Sequence, residues 1–267
     1  TRTSIAQQFA EVLGIPVARV KPQIVDTDSI GYTSNSAGSG VTHKTGWAAY
    51  EAATEMKSQL IARAAELWET DIDRIAFDKG IARCADRGAT LSIQELAAQQ
   101  NDTGGPIVAS AGVNPGGAGP TIATHIVDVE VDPDTGKIQI LRYTAVQDAG
   151  KAIHPSYVEG QIQGGAAQGI GWALNEAYCL ADDGTMLNSS FLDYRMPTAF
   201  DLPMIDTVIV EVHNPGHPFG VRGVGEVPIV PPLAAIANAV YDAIGVRIDD
   251  LPLTPDRVLA ALEEANR

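Results

Sequence analysis

The sequence predicts an α+β fold of mixed helices and sheets, on three observations. Helical apolar stripes run through 3–13 and 42–68, strict alternation marks a hairpin near 126–145, and proline-started, glycine-stopped apolar runs close the chain. Ile5, Phe9 and Leu13 recur at helical spacing, and Gly14 stops that helix. Val17–Val25 reads as a short strand, and 26–39 as a polar loop rich in Ser, Thr, Asn, Asp and Gly. Trp47, Tyr50, Ala53, Met56, Leu60 and Ala64 lie along one side of a long helix over 42–68. Short strands are expected over 70–90 and a short helix over 92–98.

The Gly- and Pro-rich stretch 103–120 reads as a mobile connection. It divides the chain into one of two arrangements: a single large domain, or two α+β subdomains of about 1–120 and 121–267. In the hairpin, Val127, Val129 and Val131 share a face, Asp132–Gly136 makes the turn, and 137–145 returns. The run 158–174 is apolar but holds Gly160, Gly164, Gly165, Gly169 and Gly171. Each such glycine costs an isolated helix up to about 1 kcal/mol, so a helix here must be close-packed. A turn at 181–185, a strand over 206–212, a helix from Pro231 to Gly245 and a last helix from Thr254 with Val258, Leu259 and Leu262 inward complete the reading.

Composition restricts function. The chain has 267 residues, 45% hydrophobic, and a net charge of −15, which argues against nucleic-acid and anionic-membrane partners. No apolar run reads as long enough to cross a bilayer, and the first residues lack a signal-peptide core. Cys84 and Cys179 suit two reduced thiols in a cytoplasmic protein. The five histidines show no i,i+4 pairing, so no protein-ligated metal is expected.

Three segments can carry chemistry. The most informative is His217–Pro228, where Gly220, Gly223 and Gly225 lead to Glu226. Glycines at that density let backbone turn or approach a ligand closely. Among Val224, Val227, Pro228, Ile229 and Val230 the Glu226 carboxylate is expected to be partly desolvated and so a stronger base; an exposed acidic cap fits the same residues. Small residues at 32–42 ahead of the long helix suit an anion cradle, or an ordinary polar loop. Gln161, Gln163 and Gln168 among glycines suit a flat heterocycle with mixed donor and acceptor edges, and equally suit tight helix packing.

Together these segments resemble the C-terminal part of the molybdopterin-binding large subunit of the xanthine oxidase family of molybdenum hydroxylases. The matching pieces are Gln147–Pro155, Val158–Gly171, Asp193–Thr198 and Gly220–Glu226, in family order and spacing across essentially the whole chain. The resemblance implies a molybdenum held by the dithiolene of a molybdopterin, in its cytosine dinucleotide form, and by no protein side chain. It implies Glu226 as general base in hydroxylation of an aldehyde or N-heterocycle with water as oxygen source. It implies cofactor contacts from Gly38, Ser39, Gly40, Val41, Gln161 and Gly225. It further implies FAD and 2Fe-2S centres on partner subunits, for which this chain has no motif. The family's Gly-Gly-Phe-Gly loop and Gly-Gln-Gly motif are absent, so the chain is expected to need an N-terminal half of the large subunit, an iron–sulfur subunit and a flavin subunit for activity. From the residues alone, two other readings remain: a cofactor-free structural partner, or a heterocycle- or nucleotide-binding module without redox activity.

Overall fold

The computed structural model describes residues 1–33 and 35–265. The chain divides into two compact units. The first comprises 1–119 with 213–221, the second 120–212 with 222–267. The segment 213–221 therefore belongs to the first unit although it follows most of the second in sequence.

In the first unit, α1 (Arg2–Leu13) ends at Gly14, whose φ of 65° is left-handed and whose place a side chain would contest with the Lys79 backbone. Helix α2 (Val41–Leu67) follows the polar loop. Strands β1 (Ile75–Asp78), β2 (Ile81–Cys84) and β3 (Ala89–Ser92) form an antiparallel meander. Helix α3 (Ile93–Ala98) starts at a reciprocal cap in which Ser92 and Glu95 satisfy each other's backbone N–H groups. Leu13, Ala53, Leu60, Ala64, Phe77 and Leu96 close the core between α1, α2, the sheet and α3. The strand expected at Val17–Val25 is not formed. A single 3₁₀ turn at Val17–Arg19 leads into exposed chain. Pro16 and Pro22 lack the N–H that a ladder needs. The connection after α3 starts out anchored: Arg63 donates to Thr103 Oγ1 and to the Gly105 carbonyl, and Gln59 to the Val108 carbonyl.

In the second unit, β4 (Ala123–Val131) and β5 (Ile138–Asp148) form the expected hairpin, with a register shift between Asp128 and Val129. Helix α4 (Pro155–Leu174) follows. Strand β6 (Ile205–Val210) then pairs parallel to β5. Helices α5 (Pro231–Ile244) and α6 (Pro255–Ala265) complete the unit. Tyr143, Ile162, Ala166, Ile170, Ile236 and Val240 fill the core between the sheet, α4 and α5.

Against the expectation that no apolar run is long enough, the 18-residue stretch Val227–Ile244, of mean hydropathy 1.4, passes for a bilayer span by length and composition alone. Its continuous α-helix covers only the 14 residues of α5, about 21 Å at 1.5 Å per residue and short of a 30 Å hydrocarbon core. Its inward residues Pro232, Ile236 and Val240 belong to the unit's interior.

Candidate functional site

The glycines of α4 fall into two sets with different roles. A Cβ on Gly165 would lie 2.7 Å from Pro228 Cγ, and one on Gly169 2.5 Å from Pro232 Cγ and 2.8 Å from the Ile229 carbonyl oxygen. These glycines let the backbone of α4 approach the 228–232 segment closer than any side chain permits. Gly160 and Gly164 are different, for a Cβ there would meet nothing within 4 Å. They lie one turn apart on the exposed side of α4, together with Gln161 and Gln168. The packing reading of this helix holds at Gly165 and Gly169, while the side that carries Gly160, Gly164 and Gln161 is left open. Gln163 leaves the candidate set, because its Nε2 donates to the Ile205 carbonyl of β6 at 3.2 Å.

Glu226 opens a 3₁₀ turn, Val227–Ile229, whose Pro228 is buried. Gln161 stands one turn before Gly165, whose Cβ position abuts Pro228, two residues past Glu226. The expected desolvation of Glu226 is not found within this chain. Glu226 is exposed, since Pro228 takes the burial against α4 in its place.

The backbone leading to Glu226 is held by residues that sequence reasoning quoted only as a motif. Gln147, fully buried at the end of β5, donates from Nε2 to the Val224 carbonyl at 3.1 Å. The next residue, Asp148, pairs through Oδ2 with Arg222 Nε at 3.0 Å, and the Arg222 N–H donates to the Ala149 carbonyl at 3.2 Å. Arg222 Nη1 also donates to the Pro120 carbonyl at 2.8 Å, and Asp148 Oδ1 accepts from the Gly150 and Val212 N–H groups. The motif at 147–150 is thus a clamp on 222–224. A polar residue and a charge, both shortly before a glycine, were the sequence signal for it.

Gly38–Val41 belong to the first unit. Gly38 and Ser39 both have left-handed backbone, φ 63° and 54°, and Gly40 is the N-cap of the 27-residue α2. A Cβ on Gly38 would meet nothing within 4 Å, so the backbone there is open to a ligand. Ser34, within the expected cradle, lies outside the described residues. The first turn of α2 is steadied by 213–221. His217 Nδ1 accepts from the Phe219 and Val221 N–H groups, which puts its proton on Nε2, and Nε2 donates to the His43 carbonyl at 3.1 Å. Phe219 meets Tyr50 edge-on, with ring centroids 5.6 Å apart. Burial, with His43 alongside, pushes His217 down to about 4. The twelve-residue motif His217–Pro228 is therefore shared, its first part serving α2 and its last part the Glu226 turn.

Among the described residues no group of three or more His, Cys, Asp or Glu is arranged to hold a metal ion. A groove of about 680 Å³ opens beside the C-terminal half of α4, lined by Trp172, Tyr178, Tyr194 and Met196. In its wall Tyr194 donates to Glu176 at 2.7 Å, and that bond pushes the phenol up to about 12.

The family model of the molybdopterin cofactor-binding domain matches residues 1–203. The chain is 34% identical, over 99% of its length and 35% of the relative's, to the 6-hydroxypseudooxynicotine dehydrogenase complex subunit gamma of Paenarthrobacter nicotinovorans. It is likewise 34% identical, over 96% of its length and 35% of the relative's, to the xanthine dehydrogenase molybdenum-binding subunit of Escherichia coli O157:H7. Among solved structures, quinoline 2-oxidoreductase from Pseudomonas putida 86 superposes with a TM-score of 0.84 at 29% identity, covering 98% of this chain and 35% of that one. Reconstituted CO dehydrogenase from Oligotropha carboxidovorans gives a TM-score of 0.87 at 28% identity, covering 99% and 34%. The chain spans about a third of the length of these relatives.

Proposed function

The chain belongs to the molybdopterin cofactor-binding domain family, and from that premise we propose that it forms one part of the molybdenum site of a hydroxylase oxidising an aldehyde or an N-heterocycle, with water as oxygen source and Glu226 as general base. The observation that carries this reading is the open side of α4, where Gly160 and Gly164 leave room beside the Gln161 amide. A flat pterin needs such a face: no Cβ to hold it off, and a neutral amide that both donates and accepts. The loop at Gly38–Val41 fits the cofactor's phosphate, with left-handed backbone ahead of a helix N-terminus. The names of two relatives, an oxidoreductase of quinoline and a dehydrogenase of xanthine, favour an N-heterocycle.

When bound, the molybdenum cofactor supplies the two-electron redox chemistry. The protein's own part is positioning and proton transfer. Gln161 would hold the cofactor through its amide, with Gly225 giving it backbone access. Glu226 would take a proton on a carboxylate oxygen, at a backbone position fixed by the clamp from Gln147 and Asp148. Closure of the site around Glu226 by the rest of a larger subunit would supply the desolvation that this chain does not. The cofactor is assigned the cytosine dinucleotide form, and iron–sulfur and flavin centres are assigned to partner subunits in the cytoplasm.

The test is Glu226→Gln in the assembled enzyme. Turnover falls about 10²-fold or more while molybdenum and pterin content stay at the wild-type level. Near-normal turnover with a full metal load removes Glu226 from the mechanism. Purified assembled enzyme holding cytosine nucleotide but no molybdenum favours a binding module.

A further inference from the structure

Among the described residues of the second unit, two buried side-chain atoms make no hydrogen bond within the chain: His125 Nε2 and Gln147 Oε1. They belong to neighbours. His125 pairs with Ala145 across the β4–β5 ladder, and Gln147 lies two residues further along β5. Both side chains therefore stand on one face of the sheet as diagonal neighbours, about 7 Å apart. Tyr143, two residues the other way, shares that face, and its hydroxyl meets His125 Nδ1 at 2.7 Å. The protons here can be assigned. The phenol has one hydrogen, and Nδ1 is the acceptor it meets among the described residues. Tyr143 therefore donates to Nδ1, and the neutral imidazole carries its own proton on Nε2. Burial keeps both groups uncharged, bringing His125 down to about 4 and raising the phenol. The two orphaned atoms are thus a donor, Nε2–H, and an acceptor, the Gln147 amide oxygen. Burial of either without a partner forfeits its hydration. One water, accepting from the imidazole and donating to the amide, satisfies both, and two polar partners suffice to hold a water in an interior.

We propose that a buried water bridges His125 Nε2 and Gln147 Oε1, and that Tyr143 and His125 thereby act as positioning residues for the turn that carries Glu226. The connection runs through one planar amide. Gln147 Nε2 donates to the Val224 carbonyl, two residues before Glu226, and Oε1 is the other end of the same group. The terminal torsion of a glutamine is soft. Held at one end, the amide swivels; held at both, it fixes the direction of the Val224 carbonyl. The residues just before are held separately, Gly223 by the Thr121 hydroxyl on its carbonyl and Arg222 by the Ala149 carbonyl on its N–H. Of three consecutive anchors, the network sets the one nearest Glu226. For its effect on turnover, the proposal rests on the reading of Glu226 as general base.

Variants of the assembled enzyme test it, beside a high-resolution crystal structure of the unmodified enzyme. Asparagine places its amide where Nδ1 stands, and glutamine where Nε2 stands. His125→Asn therefore keeps an acceptor for Tyr143 but loses the bridge, whereas His125→Gln keeps a donor for the water. The crystal structure should show a water within hydrogen-bond distance of both atoms. His125→Asn and Gln147→Leu should each lower kcat about tenfold with KM and molybdenum content unchanged, since a misaimed base slows the chemical step and not binding. The double variant should lose no more than the worse single one, and His125→Gln should stay close to wild type. Hydrogen exchange at the backbone amides of 225–227 should quicken in His125→Asn and not in His125→Gln. The absence of density between the two atoms overturns the proposal, as does an asparagine variant as active as the glutamine one, or losses that multiply in the double variant. If substitution at 125 prevents assembly, the density and Gln147→Leu decide. Glu226→Gln, measured alongside, separates the two readings. Normal turnover there, with quickened exchange in His125→Asn, overturns the base and leaves the positioning of the turn. Lost turnover there, with unchanged exchange in His125→Asn, overturns the network alone.

Discussion

Arg222 Nε stands 3.0 Å from Asp148 Oδ2, and both side chains are nearly buried, at 12% and 13% exposure. The pair joins the end of β5 to the backbone three residues before Gly225. Asp148 also accepts two backbone N–H groups, and Arg222 also donates to the Val212 and Pro120 carbonyls. Removing one partner strands a charge among groups arranged for its opposite. Asp148→Ala should therefore cost about 3 kcal/mol of stability, read from the denaturant midpoint of the purified protein. A loss below about 0.5 kcal/mol, the range of an ordinary surface substitution, would make the clamp incidental.

The two glycine sets of α4 should respond in opposite directions to alanine. Gly169→Ala drives a methyl into Pro232 and the Ile229 carbonyl. Neither is a flexible chain end, so overpacking of about 1–3 kcal/mol outweighs the gain of up to about 1 kcal/mol in helix propensity. Gly164→Ala meets open space and keeps the propensity gain. It should raise the melting temperature while lowering molybdopterin content, because its methyl intrudes on the face proposed for the cofactor. Unchanged pterin content in Gly164→Ala would detach that face from cofactor binding.

Most helices and the hairpin were legible because each has a local cause: Gly14 and Gly245 as left-handed stops, Pro231 as a start, alternation in β4. The parallel pairing of β6 with β5 was not, since it joins residues some 60 positions apart and no local pattern specifies it. Val17–Val25 misled because β-branched residues suit a strand only where a neighbour supplies a ladder. At the candidate site the glycines of α4 read ambiguously: identical residues one position apart, Gly164 and Gly165, face empty space and Pro228. The exposure of Glu226 was misread because apolar neighbours in sequence need not be neighbours of the carboxylate. Only the fold shows that Pro228 takes the buried place.

The loop at Gly38 offers a test on the first unit. Its φ of 63° is unfavourable for a β-branched residue. Gly38→Val should therefore reshape the backbone ahead of α2 with little effect on the core, which lies further along the helix at Ala53, Leu60 and Ala64. The expected outcome is a near-native melting temperature with reduced retention of pterin on gel filtration. Full retention would take the loop out of cofactor binding.

His217 gives the first unit a pH dependence of definite sign. Its ordinary value is 6.5, and in the folded protein burial brings it to about 4. Between those limits the unfolded chain binds the proton and the folded one does not, so stability rises with pH across that window. The contribution is complete above pH 6.5, is lost progressively as pH falls toward 4, and changes no further below that. One such proton gives a slope of at most about 1.4 kcal/mol per pH unit. The structural cause is specific: Nδ1 already accepts from the Phe219 and Val221 N–H groups, and a proton there would turn acceptor into donor against two donors. His125, also brought to about 4 by burial, adds a slope of the same sign in the second unit. His217→Gln should therefore be less stable at pH 7 but lose stability less steeply between pH 6.5 and 4. Parallel stability curves for the two proteins over that range would mean that the unfolding transition does not sense a proton at His217.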